Sequence, residues 1–540
     1  MEATASGTTS VTAEAALAAA ERGDMGPAAA LLSALAHDAS PSARAWSAAL
    51  AARCALSDDA SFPFDVGQLV ALSDASIDAR PGVRRALASL ARVAALRFDA
   101  ASLHELSALH DALAKPTDER ACVESELLAG WRDWLDVTRH VDLESTYRRA
   151  RAAGFAAFAI EAQSLRGLSA LHTGQIVEAT ATLRTASRMS RSEGLPDAEV
   201  LANIALASAR RLQNRPHLAL HIIAALRPFT PPAWRAWLDW EAGLAGGSTR
   251  AEAIGPARDL GALIHHLANG GAGVETAAER LHRPDWPRVV RAQIDLVLSL
   301  LLERDGGNDA LRAWRTGASP EIPTGLVGLV FWSERGGSDP VARVLVGSGR
   351  PAYRLPELAV RRVAERVGAT EATLDGGLQR RVDTGLVALA FRSEPVSADM
   401  YFAEVYGYAY DALLHGAMLS VHISRMRERL GGAGEVVRNA EGLRLRCEKP
   451  LILRDPTCSQ GLDQRALRLL GQQRGMSARD LARCMTIPLR TAQRLIKQLV
   501  EDGATVTHKQ GRRVVYEVED TTFSEPTTSR RFEDGAFAPR

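Results

Sequence analysis

Residues 462–518 read LDQRALRLLGQQRGMSARDLARCMTIPLRTAQRLIKQLVEDGATVTHKQGRRVVYEV, and this stretch decides the class of the C-terminal part of the chain. Its opening segment has the apolar spacing of an amphipathic helix. Ser477 then stands as the N-cap of a second helix, with Asp480 three residues on, a close variant of the capping box. Pro488 suits the first turn of a third helix and Gly503 its end. Within that third helix Ala492, Leu495, Ile496 and Leu499 recur at helical spacing and form one buried stripe. Arg490, Thr491, Gln493, Arg494 and Lys497 are left on the remaining surface. Residues 506–518 read as two strands joined by a Gly-containing basic tip that carries His508, Lys509, Arg512 and Arg513.

The order helix, helix-turn-helix, hairpin, with Ser477, Leu481-Ala482, Thr491-Ala492-Gln493-Arg494 and Gly503 in place, resembles the MarR-like winged helix. The resemblance implies that the third helix enters the major groove, where its polar side chains meet base edges or phosphates. The tip residues would then embrace the backbone or enter the minor groove. Eleven Lys and Arg against five Asp and Glu give these 57 residues a charge of +6.

Upstream, Phe402-Ala-Glu-Val-Tyr-Gly-Tyr408, Val421-His-Ile-Ser-Arg-Met-Arg-Glu-Arg-Leu430 and Val437-Arg-Asn-Ala-Glu-Gly-Leu-Arg-Leu445 follow one another within residues 384–446. Leu419, Ile423, Met426 and Leu430 form a helical apolar stripe, off which His422, Arg425 and Arg429 fall, with Arg427 at its flank. The three segments resemble the helix, recognition helix and wing of OmpR/PhoB-type effector domains, although Tyr406 stands where Trp is usual and Leu443 where Tyr is preferred. The resemblance implies DNA contacts from Val421, Arg425 and Arg427, and His422 joins them as a candidate by position. Residues 381–461 carry ten charges of each sign, which is little attraction for a phosphate backbone. A structural or dimerising role is the other reading of this module.

Residues 11–307 read as successive amphipathic helices broken by short turns. Gly154 and Gly194 lie 40 residues apart, as do Gly174 and Asn214. Ala179 and Ala219 follow the second pair by five residues, and Gly23 with Ala28 repeats the phrase. Turns of this kind need a left-handed residue, and close helix packing needs a small one. Over about residues 140–250 the phrase resembles tetratricopeptide-type repeats in their longer form; an ordinary Ala-rich helical bundle would also present such turns. Residues 308–380 read as a small α+β connector, with strand-prone runs at 324–332 and 341–346 and a helix-like segment at 355–367. Residues 1–10 and 519–540 read as disordered tails.

The fold class expected is therefore mainly α: a helical-repeat region, a small α+β connector (308–380), and two winged helix-turn-helix domains at 381–455 and 462–518. A hydrophobic content of 46% excludes a wholly disordered chain. The net charge of +1 excludes a protein that coats nucleic acid with its entire surface, yet with +6 in residues 462–518 the rest outside 381–461 carries −5. Five scattered cysteines without a CxxC pair suit a reducing cytoplasm and suggest neither zinc nor disulfides. Signal-peptide and membrane-span patterns are missing, as are a phosphate loop, HExxH and GxSxG. No catalytic, cofactor or metal residue is nominated. The expected function is a cytoplasmic, sequence-specific regulator that binds double-stranded DNA, with the helical region binding a protein partner or driving homodimerisation. The alternative is a non-enzymatic scaffold whose winged helices bind protein.

Overall fold

In the computed structural model of the chain, Gly154, Gly174, Gly194 and Asn214 all take left-handed backbone, with φ of 77°, 74°, 68° and 60°. Each lies just past a helix end, where that conformation reverses the chain and suits Gly or Asn. They separate helices Leu143–Ala152, Ala156–His172, Ile176–Glu193, Pro196–Leu212 and Pro216–Leu226. Ala28, Ala179 and Ala219 are fully buried. The structure describes residues 2–302 apart from 58–64, 139, 229, 247–252, 270–272 and 282, and residues 342–518 apart from 348–351, 356–359, 372–378, 393, 407–408, 457–461, 473–474, 486, 502–503 and 512. Twenty-three α-helices against eight short strands among these residues make the chain mainly α. No helix among them is long and apolar enough to cross a membrane. The strand-prone run at 324–332, Arg512 at the basic tip and the tail from 519 lie outside the described residues.

One expectation fails at the start of the chain. Residues 2–10 belong to helix Glu2–Glu21 rather than to a disordered tail. Ala13, Ala16, Leu17 and Ala20 of that helix are buried against Trp46 and Leu50, and an anchored helix adds residues without a new nucleation cost.

The helical body closes on itself. Helices Pro41–Ser57 and Arg80–Leu96 cross so tightly at Gly82 that a Cβ there would lie 2.7 Å from the Ala45 carbonyl carbon and 2.8 Å from the Trp46 nitrogen. Farther along, a Cβ on Gly23 would lie 3.0 Å from Pro196 Cγ. Beside it Arg53 reaches across 144 residues to Asp197 at 2.7 Å. These contacts bring the first two helical hairpins against helix Pro196–Leu212. Trp134 and Trp237, with ring centroids 4.6 Å apart, tie helix Glu119–Asp136 to helix Arg235–Leu244 in the same core.

Strand Leu451–Asp455 changes the domain organisation. It pairs antiparallel with Ala342–Val346, which pairs with Tyr353–Leu355, and on its other side it runs parallel to Thr370–Glu371. Side chains alternate across a strand. Leu345, Tyr353, Leu355 and Ile452 therefore enter the core of the helical body. Val344, Val346, Leu451 and Leu453 enter the core of the unit that follows. The boundary expected at residue 380 thus cuts through one shared sheet: connector and following module are one structural unit. Leu355, expected to open a helix, ends a strand, and the helix there is Val360–Val367.

That unit contains helices Arg380–Ala390, Ala398–Tyr406 and Ala412–Leu430 and hairpin Gly434–Asn439/Gly442–Cys447, with Val396 bridging to Leu443 by two 2.8 Å backbone bonds. The C-terminal unit has helices Leu462–Gln472, Ala478–Met485 and Leu489–Glu501 and hairpin Thr505–Gln510/Arg513–Val518. Met476 bridges to Tyr516 and adds a short third strand position. Its separate core gathers Ala466, Leu470, Leu481, Leu495, Ile496 and Leu499.

Candidate nucleic-acid interface

Helix Ala478–Met485 is started by Ser477 and Asp480, which cap each other. The Asp480 nitrogen donates to Ser477 Oγ at 3.3 Å and the Ser477 nitrogen to Asp480 Oδ2 at 3.3 Å, while the two side chains meet at 2.6 Å. These bonds from Ser477 hold the Asp480 carboxyl below its ordinary value. At the start of helix Leu489–Glu501 the backbone nitrogens of Thr491 and Ala492 close onto the Pro488 carbonyl.

Ala492, Leu495, Ile496 and Leu499 of that helix are buried as their spacing required. Arg490, Gln493, Arg494 and Lys497 are exposed and Thr491 is half-buried. Arg490 and Arg494 make no hydrogen bond or ion pair among the described residues. Lys497 is 3.7 Å from Glu501 in an exposed pair, worth little against a phosphate partner.

The hairpin stands on the other side of a groove of about 430 Å³. Gln493 and Leu489 line one wall, Arg513 and Val514 the other, and Ser477, Arg479 and Asp480 lie between. The groove thus brings together Gln493 and Arg513, and adds Arg479, which sequence reading missed although its place in the first turn after the Ser477 cap signalled it. Lys509 is exposed on the same hairpin, and exposed His508 lies 3.5 Å from Glu517. Asp480 is the acidic member of the groove, and Arg483 partly offsets it at 3.0 Å.

The upstream unit presents much less. Val421 (53% exposed) and Arg425 face solvent. Arg427 does not offer a free fork: its Nε and a terminal nitrogen both donate to the Val436 carbonyl, at 2.9 and 2.7 Å, tying the helix to the hairpin. His422 is buried, which corrects its place among the exposed candidates. Its ring lies against Tyr401 and Tyr406 at 5.9 and 5.5 Å, and burial, then Arg425 and Arg381, push it down to about 4. Arg429 is buried too, forked onto Asp383 at 3.0 and 3.3 Å. Helix Ala412–Leu430 is covered on two sides, by Arg380–Ala390 and Ala398–Tyr406, and a single apolar stripe could not reveal the second.

Comparison of the chain with family models, with curated proteins and with solved structures returns no match.

Proposed function

We propose that the protein is a cytoplasmic, sequence-specific transcriptional regulator that binds double-stranded DNA through its C-terminal unit, acting as a winged helix. The observation that carries the reading is the pair of exposed guanidinium groups, Arg490 and Arg494, on helix Leu489–Glu501, which have no partner among the described residues and lie beside a groove whose far wall holds Arg513. An α-helix fits the major groove, where such forks bond to guanine or phosphate. Lys509 and Arg513 on the hairpin suit the flanking backbone, and the local charge of +6 supplies the general attraction.

In this reading residues 381–455, within the unit that includes the shared sheet, act as a second winged helix with a narrower contact, made by Val421 and Arg425, and position the reader more than they bind. The helical body, with turns of tetratricopeptide type, serves as the sensing or assembling part. Tethered modules gain affinity through effective concentration, so neither needs to bind tightly alone.

The test is retention of the full chain on random duplex DNA and on heparin at low salt. Elution by moderate salt supports the reading. Passage through both columns without retention overturns it and favours the scaffold alternative. Genome-wide mapping of bound sites then separates sequence-specific from general binding.

A further inference from the structure

Helices Glu2–Glu21, Pro41–Ser57, Glu119–Asp136, Ala156–His172 and Pro196–Leu212 converge on a half-open pocket with about 120 Å³ of free space. Leu17, Phe158, Leu195 and Leu201 give it an apolar wall. An apolar cavity of about 150 Å³ takes up benzene, so this space admits a side chain of about one ring.

The charges around the pocket come in balanced pairs. Arg85 meets Glu124 at 2.6 Å and Arg92 meets Glu161 at 2.8 Å, and all four are largely buried. Arg53 meets Asp197 at 2.7 Å and Arg120 meets Glu21 at 3.2 Å. In these last two pairs Asp197, Arg120 and Glu21 stay partly open to solvent, with side chains 26%, 24% and 30% exposed. They also keep hydrogen-bonding capacity. Asp197 accepts through Oδ2 and Glu21 through Oε1, and the other oxygen of each carboxylate has no donor among the described residues. Arg120 Nη1 lies 3.6 Å from Glu14, beyond hydrogen-bond reach.

These groups are neighbours. One terminal nitrogen of Arg53 donates both to Asp197 and, at 2.8 Å, to the carbonyl of Ala20, the residue before Glu21. The Arg120 guanidinium lies 5.0 Å from the centre of the Phe158 ring, so the charged rim adjoins the apolar wall. A ligand with a single charge would leave that charge uncompensated among pairs that already sum to zero, and burying such a charge is costly. A zwitterion adds no net charge. Its cation can share the two open carboxylate oxygens and its anion can take the guanidinium N–H.

We propose that this pocket binds a free α-amino acid with an apolar side chain of leucine to phenylalanine size. The ammonium group meets Glu21 and Asp197, the carboxylate meets Arg120, and the side chain lies against Phe158 and the leucines. The site makes the helical body an amino-acid sensor, and it stands whether or not the C-terminal unit binds DNA.

The experiment is isothermal titration calorimetry of the full chain with L-phenylalanine, L-phenylalaninamide and N-acetyl-L-phenylalanine. The three share one side chain and present both charges, the cation alone and the anion alone. The two blocked compounds also stand for the first and last residues of a peptide. L-Phenylalanine should bind with Kd below about 1 mM, and each blocked compound at least about tenfold more weakly. Glu21→Gln should weaken L-phenylalanine by about tenfold and narrow its advantage over N-acetyl-L-phenylalanine. Arg120→Gln should instead narrow its advantage over L-phenylalaninamide. This crossed pattern separates lost charge recognition from general loosening, and if circular dichroism shows one variant unfolded the other carries the comparison. No heat from L-phenylalanine at millimolar concentration, equal binding of the three compounds by the wild-type chain, or preferences unmoved in the folded variants overturns the proposal.

Discussion

Asn214 donates its side-chain amide to Asp455 Oδ2 at 2.9 Å, joining positions 241 residues apart. Asn214 closes a turn of the helical body, and Asp455 ends the central strand of the shared sheet. The same carboxylate oxygen accepts Arg354 Nε at 3.1 Å, and the Arg354 guanidinium lies 4.5 Å from the centre of the Phe391 ring. A residue chosen by the chain for its left-handed backbone thus also clasps the body to the sheet. Asp455 is fully buried, so it depends on these donors for its charge to be tolerated.

Asn214→Gly separates the two duties. Glycine keeps the φ of 60° at no steric cost and removes only the amide. Loss of a donor to a buried carboxylate should cost about 1–3 kcal/mol. Urea denaturation followed by circular dichroism measures it, and an unchanged midpoint would show the clasp to be idle.

Gly82→Ala places a methyl group against the backbone at Ala45 and Trp46. Backbone in a packed helix cannot swing aside as a side chain can, so helices Pro41–Ser57 and Arg80–Leu96 must separate. The expected loss is about 1–3 kcal/mol, against a gain of under about 1 kcal/mol from helix propensity. A more stable Gly82→Ala variant in thermal melts would refute the close crossing.

Two buried histidines should give opposite pH signatures. His422 is held down at about 4, below its unfolded value near 6.5. Its contribution is present above pH 6.5 and is lost as pH falls from there toward 4, by up to about 3 kcal/mol. His110 is pushed up: burial opposes the charge, but the carboxylates of Asp111 and Glu124, 3.5 and 3.7 Å from its ring nitrogens, outweigh it. Its contribution is full below pH 6.5 and is lost as pH rises through the elevated folded value. Hydrogen exchange across pH 4–8 resolves the two regions. The 380–455 unit should loosen in acid while the helices around His110 tighten, and His422→Asn should flatten the first trend. Parallel trends in both regions would contradict the assignment.

Arg494→Ala should weaken specific DNA binding by about 1–3 kcal/mol if its fork meets a base, as read by mobility shift. Neutralising Lys509 and Arg513 together should instead lower the slope of log affinity against log salt by about 1–2, with little change in sequence preference. A wild-type slope in that double variant removes the hairpin from the interface.

Local features were legible in the sequence, and long-range ones were not. The 40-residue spacing of Gly154, Gly174, Gly194 and Asn214 found four left-handed turns, because αL backbone selects its own residue types. The stripe Ala492, Leu495, Ile496 and Leu499 found the buried side of its helix, and with it the exposed face of Arg490 and Arg494. The same reasoning misplaced His422 and Arg429. Their helix has two buried flanks, and a polar residue with a partner such as Asp383 leaves no hydrophobic trace. Pairing of Ala342–Val346 with Leu451–Asp455 was invisible for a related reason: each strand reads as a short apolar run, and nothing local names its partner. Arg53 and Asp197, which close the helical body, are ordinary surface residues until the fold brings them together.

The shared sheet also sets a clock on biosynthesis. Ala342–Val346 leaves the ribosome about a hundred residues before the strand that completes its second edge. At about 5–20 residues per second the wait is on the order of 5–20 s. During that interval the nascent chain holds an open β-edge backed by Val344 and Val346, the template on which neighbouring chains pair wrongly. Release of a chain cut short before residue 451 would make that exposure permanent, so premature termination should yield aggregates and not a freestanding helical body.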